Sequence, residues 1–368
     1  MKILLLAGEE SGLIYARAIA ARLDGHEVRG YADYGFRTAD LAVVGVFAVL
    51  RRLGYFLRVA RTMKRAIDEW RPDVVLTVDY PGMNLKLAAY AKARGIRAVH
   101  VVCPQVWAWK RGRIPKIEAS LDALCCFFPF EPALFRPGFA TFIGHPLVGD
   151  FAATAAAVKA SPAGDDLVAL LPGSRRGEIE RNLPPLLAAA RRLLERHPAL
   201  RFAVPAVHKA AEAHIRRLVA AGPEEVRGRT EIRLGRARET LLSAKCAAVA
   251  SGTATLEAAL AGCPTALVYR VSALTAFIAR RVIKGTKFLG LANILWDKGG
   301  GKGGQPPMPE YLQEDLTPEA VAERLAQWLD DDSARAEAVR RLAEATALLV
   351  AEGDPVSRIL SAALPDML

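Results

Sequence analysis

Short, nearly unbroken apolar runs alternate along the chain with segments whose apolar residues recur at helical spacing. The first series predicts strands at 2–7, 27–30, 74–78, 98–102 and 123–127, with helices at 13–23, 85–94 and 114–120 between them. A polar, turn-rich break at 161–166 precedes a second series. There the strands fall at 167–171, 201–204, 231–234, 247–250 and 265–268, and the helices at 183–196, 208–220, 237–244 and 256–261. Strands that are apolar along their whole length, each followed by a helix, belong to parallel sheets covered on both faces. The expected fold is therefore α/β, with two Rossmann-like, doubly wound domains at 1–163 and 164–345 facing a central cleft. A glycine-rich loop at 299–307 and helices from Pro318 onward complete the chain, and 346–368 is expected to pack back on the first domain. In such sheets ligands sit beyond the carboxyl ends of the strands.

That rule directs attention to the turns. The strand at 247–250 runs into Ser251-Gly252-Thr253, which opens a helix. Unpaired N–H groups and the positive end of the helix dipole gather there, and Gly252 lets an anion approach the backbone closely. Glu257, about one turn further on, is placed to hydrogen-bond ribose hydroxyls. Gly173-Ser174-Arg175, after the strand at 167–171, repeats the pattern with a cationic helix start. Two anion-binding turns in one half of a chain point to a nucleotide diphosphate.

In the first half, Gly8-Glu9-Glu10-Ser11-Gly12 follows the first strand. It is not GxGxxG, and a plain strand-to-helix turn is its other reading. Asp79, at the end of the strand at 74–78 beside Pro81-Gly82, is a general-base candidate, with a helix cap near Asn84 as the alternative. Trp107 and Trp109, beside Lys110-Arg111, are candidates to hold a sugar ring or an acyl chain, against plain core packing. His145, in Gly144-His145-Pro146, reads as a structural hydrogen-bonder.

At 368 residues, with 52% hydrophobic and 24% charged content, the chain is expected to be a soluble, two-domain protein. The uncharged run at 41–50 is too short to span a bilayer. Residues 1–8 read as a strand and turn rather than a signal peptide, so the expected location is the cytosol. Five cysteines without a CxxC pair are expected to be buried, reduced thiols. Six histidines show no HExxH spacing, and Asp330-Asp331-Asp332 reads as a solvated turn, so no metal site is expected.

A net charge of +11 calls for an anionic partner. Six basic residues and no acidic one fall between Arg51 and Arg65. On a helix, Arg51, Arg58 and Arg65 share one side, opposite Leu53, Phe56, Leu57, Ala60, Met63 and Ile67. The segment is either an ordinary surface helix or a lipid-facing patch. No nucleic-acid module accompanies the charge, and no nucleic-acid partner is expected.

Taken together, the motifs resemble the lipid-A-disaccharide synthase family of inverting, two-domain GT-B glycosyltransferases. The resemblance rests on Gly8-Glu9-Glu10-Ser11-Gly12, Leu41-Ala42-Val43-Val44-Gly45, Asp79-Tyr80-Pro81-Gly82-Met83-Asn84 and Val106-Trp107-Ala108-Trp109. It continues through Phe128-Pro129-Phe130-Glu131, Gly144-His145-Pro146, Leu171-Pro172-Gly173-Ser174-Arg175, Ser251 to Glu257 and Pro309-Glu310-Tyr311-Leu312-Gln313. It implies a UDP-2,3-diacylglucosamine donor, a 2,3-diacylglucosamine 1-phosphate acceptor and a β-1,6-linked disaccharide 1-phosphate product, with no cofactor and no metal. It further implies Asp79 as base, with Ser11 and Glu9 at the acceptor side. Gly173, Ser174, Arg175, Ser251, Gly252, Thr253, Glu257 and Asn293 would surround UDP. Gly12, Asn84, Trp107, Trp109, Arg51, Phe56 and Arg58 would contact acceptor or lipid, and the protein would sit peripherally on the anionic cytoplasmic face of the inner membrane. A UDP-sugar epimerase-like enzyme, or a relative that binds nucleotide sugar or lipid without turnover, are the rival readings. Leu13 and Ala48 stand where the family has Asp and Glu, removing two carboxylates from the acceptor side, and the glycine-rich segment at 299–307 has no family counterpart.

Overall fold

A computed structural model describes residues 1–8, 10–41, 52–159, 166–282, 285–299 and 305–365. The chain divides into two compact units, Met1–His145 with Ala351–Leu368, and Pro146–Val350. Each is built on six parallel strands.

In the first unit the strands are β1 (Lys2–Ala7), β2 (Glu27–Arg29), β3 (Val74–Val78), β4 (Arg97–Val101), β5 (Ala123–Cys126) and β6 (Ala140–Phe142), in the order β2-β1-β3-β4-β5-β6. Every residue of β3 is buried, as a strand with helices on both faces requires. One face packs Ile3, Leu5, Leu76 and Val99 with Ile19 of helix Glu10–Ala20 and Ile359 of helix Pro355–Ala363. The other packs Leu4, Leu6 and Val75 against Phe56, Val59, Met63 and Ile67 of helix Leu53–Trp70 and Leu87 of helix Pro81–Lys92. The returning C-terminal helix is fastened by polar contacts as well. Arg97 Nη2 donates to the Ala362 carbonyl at 2.8 Å, and Arg358 Nη1 to that of Phe142 at 2.7 Å.

The second unit carries β7 (Leu167–Leu171), β8 (Arg201–Ala206), β9 (Thr230–Leu234), β10 (Cys246–Ala250), β11 (Thr265–Tyr269) and β12 (Glu310–Leu312), in the order β12-β11-β10-β7-β8-β9. Its largest cluster joins Val168, Phe202, Val204 and Ala248 of the sheet to Leu183, Leu186 and Leu193 of helix Arg176–Arg196 and Leu325 and Trp328 of helix Pro318–Asp330.

Several elements differ from the sequence expectation. The second sheet does not close at β11, because β12 adds along its edge through Leu267↔Glu310 to Tyr269↔Leu312. Three residues are too few for periodicity to announce such a strand. The helix expected at 183–196 begins at Arg176 and runs through Pro184 and Pro185. A proline pair reads as a first turn, where a missing N–H costs nothing, but here Glu178 caps the helix two turns earlier. Helix Leu147–Lys159 is not among the expected elements, and it lies in the second unit, so the division at His145 falls before the boundary expected at 163.

Ile359 is 2% exposed on a helix that meets its unit only after the whole second unit has intervened. Ile359→Ala is expected to lower stability by about 2–4 kcal/mol, read by urea unfolding. A loss near zero would mean that this helix docks without contributing to the core.

Candidate active site

A doubly wound sheet has one place where successive connections leave in opposite directions, and a crevice opens there beyond the strand ends. In the first unit it lies between β1 and β3, adjacent strands whose chains depart toward β2 and β4. After β3, Asp79 and Tyr80 both take left-handed backbone conformations, with φ of 50° and 52°. Such residues are strained and persist where the surroundings over-determine them. Here the surroundings are Asn84, fully buried. Its Nδ2 donates to the carbonyls of Leu6 and Val78 at 3.2 Å and of Asp79 at 2.7 Å, and its Oδ1 accepts from Tyr31 Oη at 2.8 Å. The Asp79 N–H donates to the Val101 carbonyl at 2.9 Å.

This geometry presses the Tyr80 ring against Gly8, where an added Cβ would stand 2.4 Å from Cδ1. Gly12 brings helix Glu10–Ala20 onto the end of β3, its hypothetical Cβ 3.3 Å from the Val78 carbonyl oxygen. The half-buried Asp79 carboxylate accepts only the Tyr80 N–H among the hydrogen bonds described, at 2.8 Å. Burial pushes its pKa up from the ordinary value, partly opposed by that N–H. The cap position of helix Pro81–Lys92 is Tyr80 rather than Asp79, so the alternative reading of Asp79 as a helix cap does not hold.

In the second unit the corresponding place lies between β7 and β10. After β10, Ser251 Oγ donates to the Leu289 carbonyl at 3.1 Å, and Gly252 has φ of 142°. Helix Thr253–Leu260 then begins without a side-chain cap; the Thr255 N–H donates to the Gly252 carbonyl at 3.1 Å, and those of Thr253 and Ala254 have no partner among the hydrogen bonds described. Glu257 in that helix accepts from Arg238 Nε at 3.1 Å, and Arg238 also lies 3.6 Å from Asp150. After β7 the arrangement is different. The Ser174 and Arg175 N–H groups donate to Glu178 Oε2 at 3.1 and 3.2 Å, and Arg175 Nη1 donates to Oε1 at 2.9 Å. Gly173, at φ 116°, leaves room for that carboxylate, with Glu178 Oε2 only 2.7 Å from where a Cβ would be.

A family model described as lipid-A-disaccharide synthetase matches residues 3–352. The chain belongs to this family. The lipid-A-disaccharide synthase of Chromohalobacter salexigens is 35% identical over 372 residues, covering 95% of this chain and 93% of the relative. Among solved structures, a UDP-GlcNAc 2-epimerase from Neisseria meningitidis bound to UDP-GlcNAc gives a TM-score of 0.63 at 9% identity, covering 99% of this chain and 100% of that one. The glycosyltransferase SnogD from Streptomyces nogalater gives 0.53 at 16% identity, covering 100% and 99%. At these identities the structural likeness shows the fold, GT-B, and nothing of the chemistry.

In this member of the synthase family, several residues singled out from sequence brace the fold. Asn84 spends its amide on the carbonyls of Leu6, Val78 and Asp79 and on the Tyr31 hydroxyl. Asn293 is likewise fully buried, with Nδ2 donating to the Met308 carbonyl at 2.7 Å and Glu310 Oε1 at 2.8 Å, and Oδ1 accepting from Met308 N–H at 2.9 Å. Trp107 is buried, donating from Nε1 to Glu131 Oε1 at 3.1 Å and meeting Phe130 edge-on at 5.8 Å. Trp109 stays 37% exposed, with Lys110 Nζ 4.5 Å from its ring. Phe56 is buried in the core, whereas Leu53 and Leu57 of the same helix are 49% and 55% exposed beside the exposed Arg58. Glu9, Arg51, Ala48 and most of the run at 41–50 lie outside the described residues, and only the backbone of Ser11 is described. The anion cradle expected at Gly173–Arg175 is satisfied by the chain's own Glu178.

Sequence reasoning missed Glu178, Arg238 and Glu131. An acidic residue at the third helical position signals Glu178. Arg238 carries no such signal, because only the fold brings it to Glu257, nineteen residues further along the chain. Glu131 is fully enclosed, and burial pushes its carboxyl up to about 8. His145 packs beside Phe127 and Phe128 at 5.3 and 5.6 Å, and burial lowers it to about 4, so it is neutral at physiological pH.

Removing the Asn84 amide would strand three carbonyls and the Tyr31 hydroxyl. Asn84→Ala is expected to lower stability by at least ~2 kcal/mol, with Asn84→Asp no better, because a carboxylate offers those carbonyls no donor. Chemical unfolding that showed Asn84→Asp at the wild-type value would remove the clamp from this account.

Proposed function

We propose that the protein transfers the diacylglucosamine of UDP-2,3-diacylglucosamine to the primary hydroxyl of 2,3-diacylglucosamine 1-phosphate. What carries the reading is a family match over residues 3–352 together with a half-buried carboxylate at one switch point and an uncapped helix start at the other. The acceptor oxygen attacks the anomeric carbon as the bond from that carbon to the UDP oxygen breaks. The bonding electrons leave with UDP, and the hydroxyl proton passes to Asp79. One displacement inverts the anomeric configuration. A carboxylate whose pKa burial has raised is a stronger base than an exposed aspartate, which suits a weakly acidic hydroxyl.

The departing diphosphate is assigned to the start of helix Thr253–Leu260, where unmet N–H groups and the helix dipole favour negative charge. Arg175 supplies a cation on a side chain 66% exposed, by exchanging Glu178 for the phosphate. Glu257, oriented by Arg238, is assigned to the ribose hydroxyls. An epimerase reading is not favoured, since the likeness to epimerases is one of fold at 9% identity, while 35% identity goes to the synthases.

Among the described residues no helix is long and apolar enough to cross a membrane. The acylated substrates are instead met at a lipid surface by helix Leu53–Trp70. Its exposed Leu53 and Leu57 enter the interface while Arg58, Arg61 and Arg65 contact anionic headgroups.

Two outcomes are expected. In a UDP-release assay with donor and acylated acceptor, Asp79→Asn should lower kcat at least ~10²-fold with UDP affinity unchanged, since the nucleotide is assigned to the other unit. The raised pKa of Asp79 means that folding favours the protonated acid. That stability is present below the unfolded value and lost as pH rises through the folded one, so Asp79→Asn should not destabilise the protein at neutral pH. Release without acceptor accompanied by a sugar isomer would instead identify an epimerase, and UDP binding with neither product a non-catalytic relative. Sedimentation with anionic vesicles should fall with salt and with Arg58→Glu/Arg65→Glu, at about 1 kcal/mol per basic residue. Equal sedimentation with neutral vesicles would sink the membrane assignment.

A further inference from the structure

The chain after β4 and the end of β5 bring together three side chains that the mechanism does not use. Cys103, Cys126 and Glu131 present two sulfurs and a carboxylate oxygen within 4.8 Å of one another, and the residues are 4%, 0% and 2% exposed. We propose that these three residues bind a thiophilic divalent cation of the zinc class, which ties the loop carrying Trp107 and Trp109 to the turn after β5.

Zinc holds sulfur at about 2.3 Å and carboxylate oxygen at about 2.0–2.2 Å in a tetrahedron. Ligands sharing one ion therefore stand roughly 3.5–3.8 Å apart, so the three atoms, all within 4.8 Å, need to close by about 1.3 Å at most. Two thiolates and a carboxylate select zinc or cobalt over magnesium or calcium, which prefer all-oxygen surroundings. The outer contacts of a ligating carboxylate are already in place. Trp107 Nε1 donates to Glu131 Oε1 and the Phe128 N–H to Oε2, each at 3.1 Å, which fixes the group's plane and leaves other lone pairs for an ion. The Pro104 carbonyl accepts from Cys103 Sγ at 3.3 Å and from the Val106 N–H at 2.5 Å, which fixes the backbone beside Cys103.

Among the described residues no Lys, Arg or His forms an ion pair with Glu131, and burial keeps its carboxyl neutral through its own proton instead. Loading releases the thiol protons, together with the carboxyl proton where it is bound, and leaves a dication against three anionic ligands. The enclosure favours loading as the chain folds, and the ion would be structural, remote from the transfer chemistry proposed above.

The test is to produce the full chain in medium supplied with cobalt in place of zinc, dialyse it, and measure bound metal and thiolate-to-cobalt charge-transfer absorption. The expected result is about one cobalt per chain with that absorption, both lost in Cys103→Ser/Cys126→Ser and both kept in Cys246→Ser/Cys263→Ser. The wild type is read without relying on any variant's folding. A strong chelator under mild denaturant should lower its thermal midpoint, and readded zinc should restore it. Wild-type protein that retains no metal overturns the proposal, as does absorption that survives in the Cys103→Ser/Cys126→Ser variant.

Discussion

Carbonyl groups at the carboxyl end of a parallel sheet have no strand beyond them to supply donors, and in a buried position each must still be satisfied. In the first unit one amide, that of Asn84, meets the carbonyls of Leu6, Val78 and Asp79 together. It thereby joins β1 to β3 at the point where their chains part. Two successive residues can hold a left-handed backbone only because their ends are pinned in this way. The direction of the Asp79 carboxylate and the seating of the Tyr80 ring on Gly8 both follow from that pin.

The second unit manages its exposed N–H groups with carboxylates of its own. Glu178 takes those of Ser174 and Arg175, and Glu310 takes those of Leu289 and Gly290 at 3.0 and 2.9 Å. Asp331 does the same for Ser333 and Ala334. Among the turns at Ser174, Ser251 and Leu289, the one at Ser251, which starts helix Thr253–Leu260, is the one to which no carboxylate is given among the hydrogen bonds described, while helices Glu224–Arg227 and Ala237–Ser243 elsewhere in the unit also start without a side-chain cap.

Strand bounds were legible because apolar runs at 2–7, 74–78 and 167–171 contain little else, and the structure begins and ends those strands at the same residues. Turn positions were legible for the same reason, since each lies where an apolar run stops. The use made of side chains there was much less legible. Asn84 and Asn293 enter the sequence reading only through the family resemblance, and their bracing role was not legible, because whether an amide points at a carbonyl or at solvent is decided by strands far away along the chain. Trp107 and Trp109 are two residues apart, yet one is enclosed beside Glu131 and the other is partly open. No local pattern separates them, and only the packing of the turn after β5 does.

The first unit is interrupted. Its last helix, Pro355–Ala363, packs on β4 and β5 from the far side of the second unit in sequence, and Ile359 and Ala363 fill the same cluster as Ile3 and Val99. During synthesis the sheet of the first unit is therefore complete long before the part of that face over β4 and β5, beyond the reach of helix Glu10–Ala20, is covered. The second unit, continuous from Pro146 to Val350, has all its residues in hand first. Emergence from the ribosome and completion of folding thus run in opposite orders for the two halves. For the interval between them, the part of an apolar sheet face over β4 and β5 that the mature protein never shows is open to water and to whatever chaperone waits at the exit.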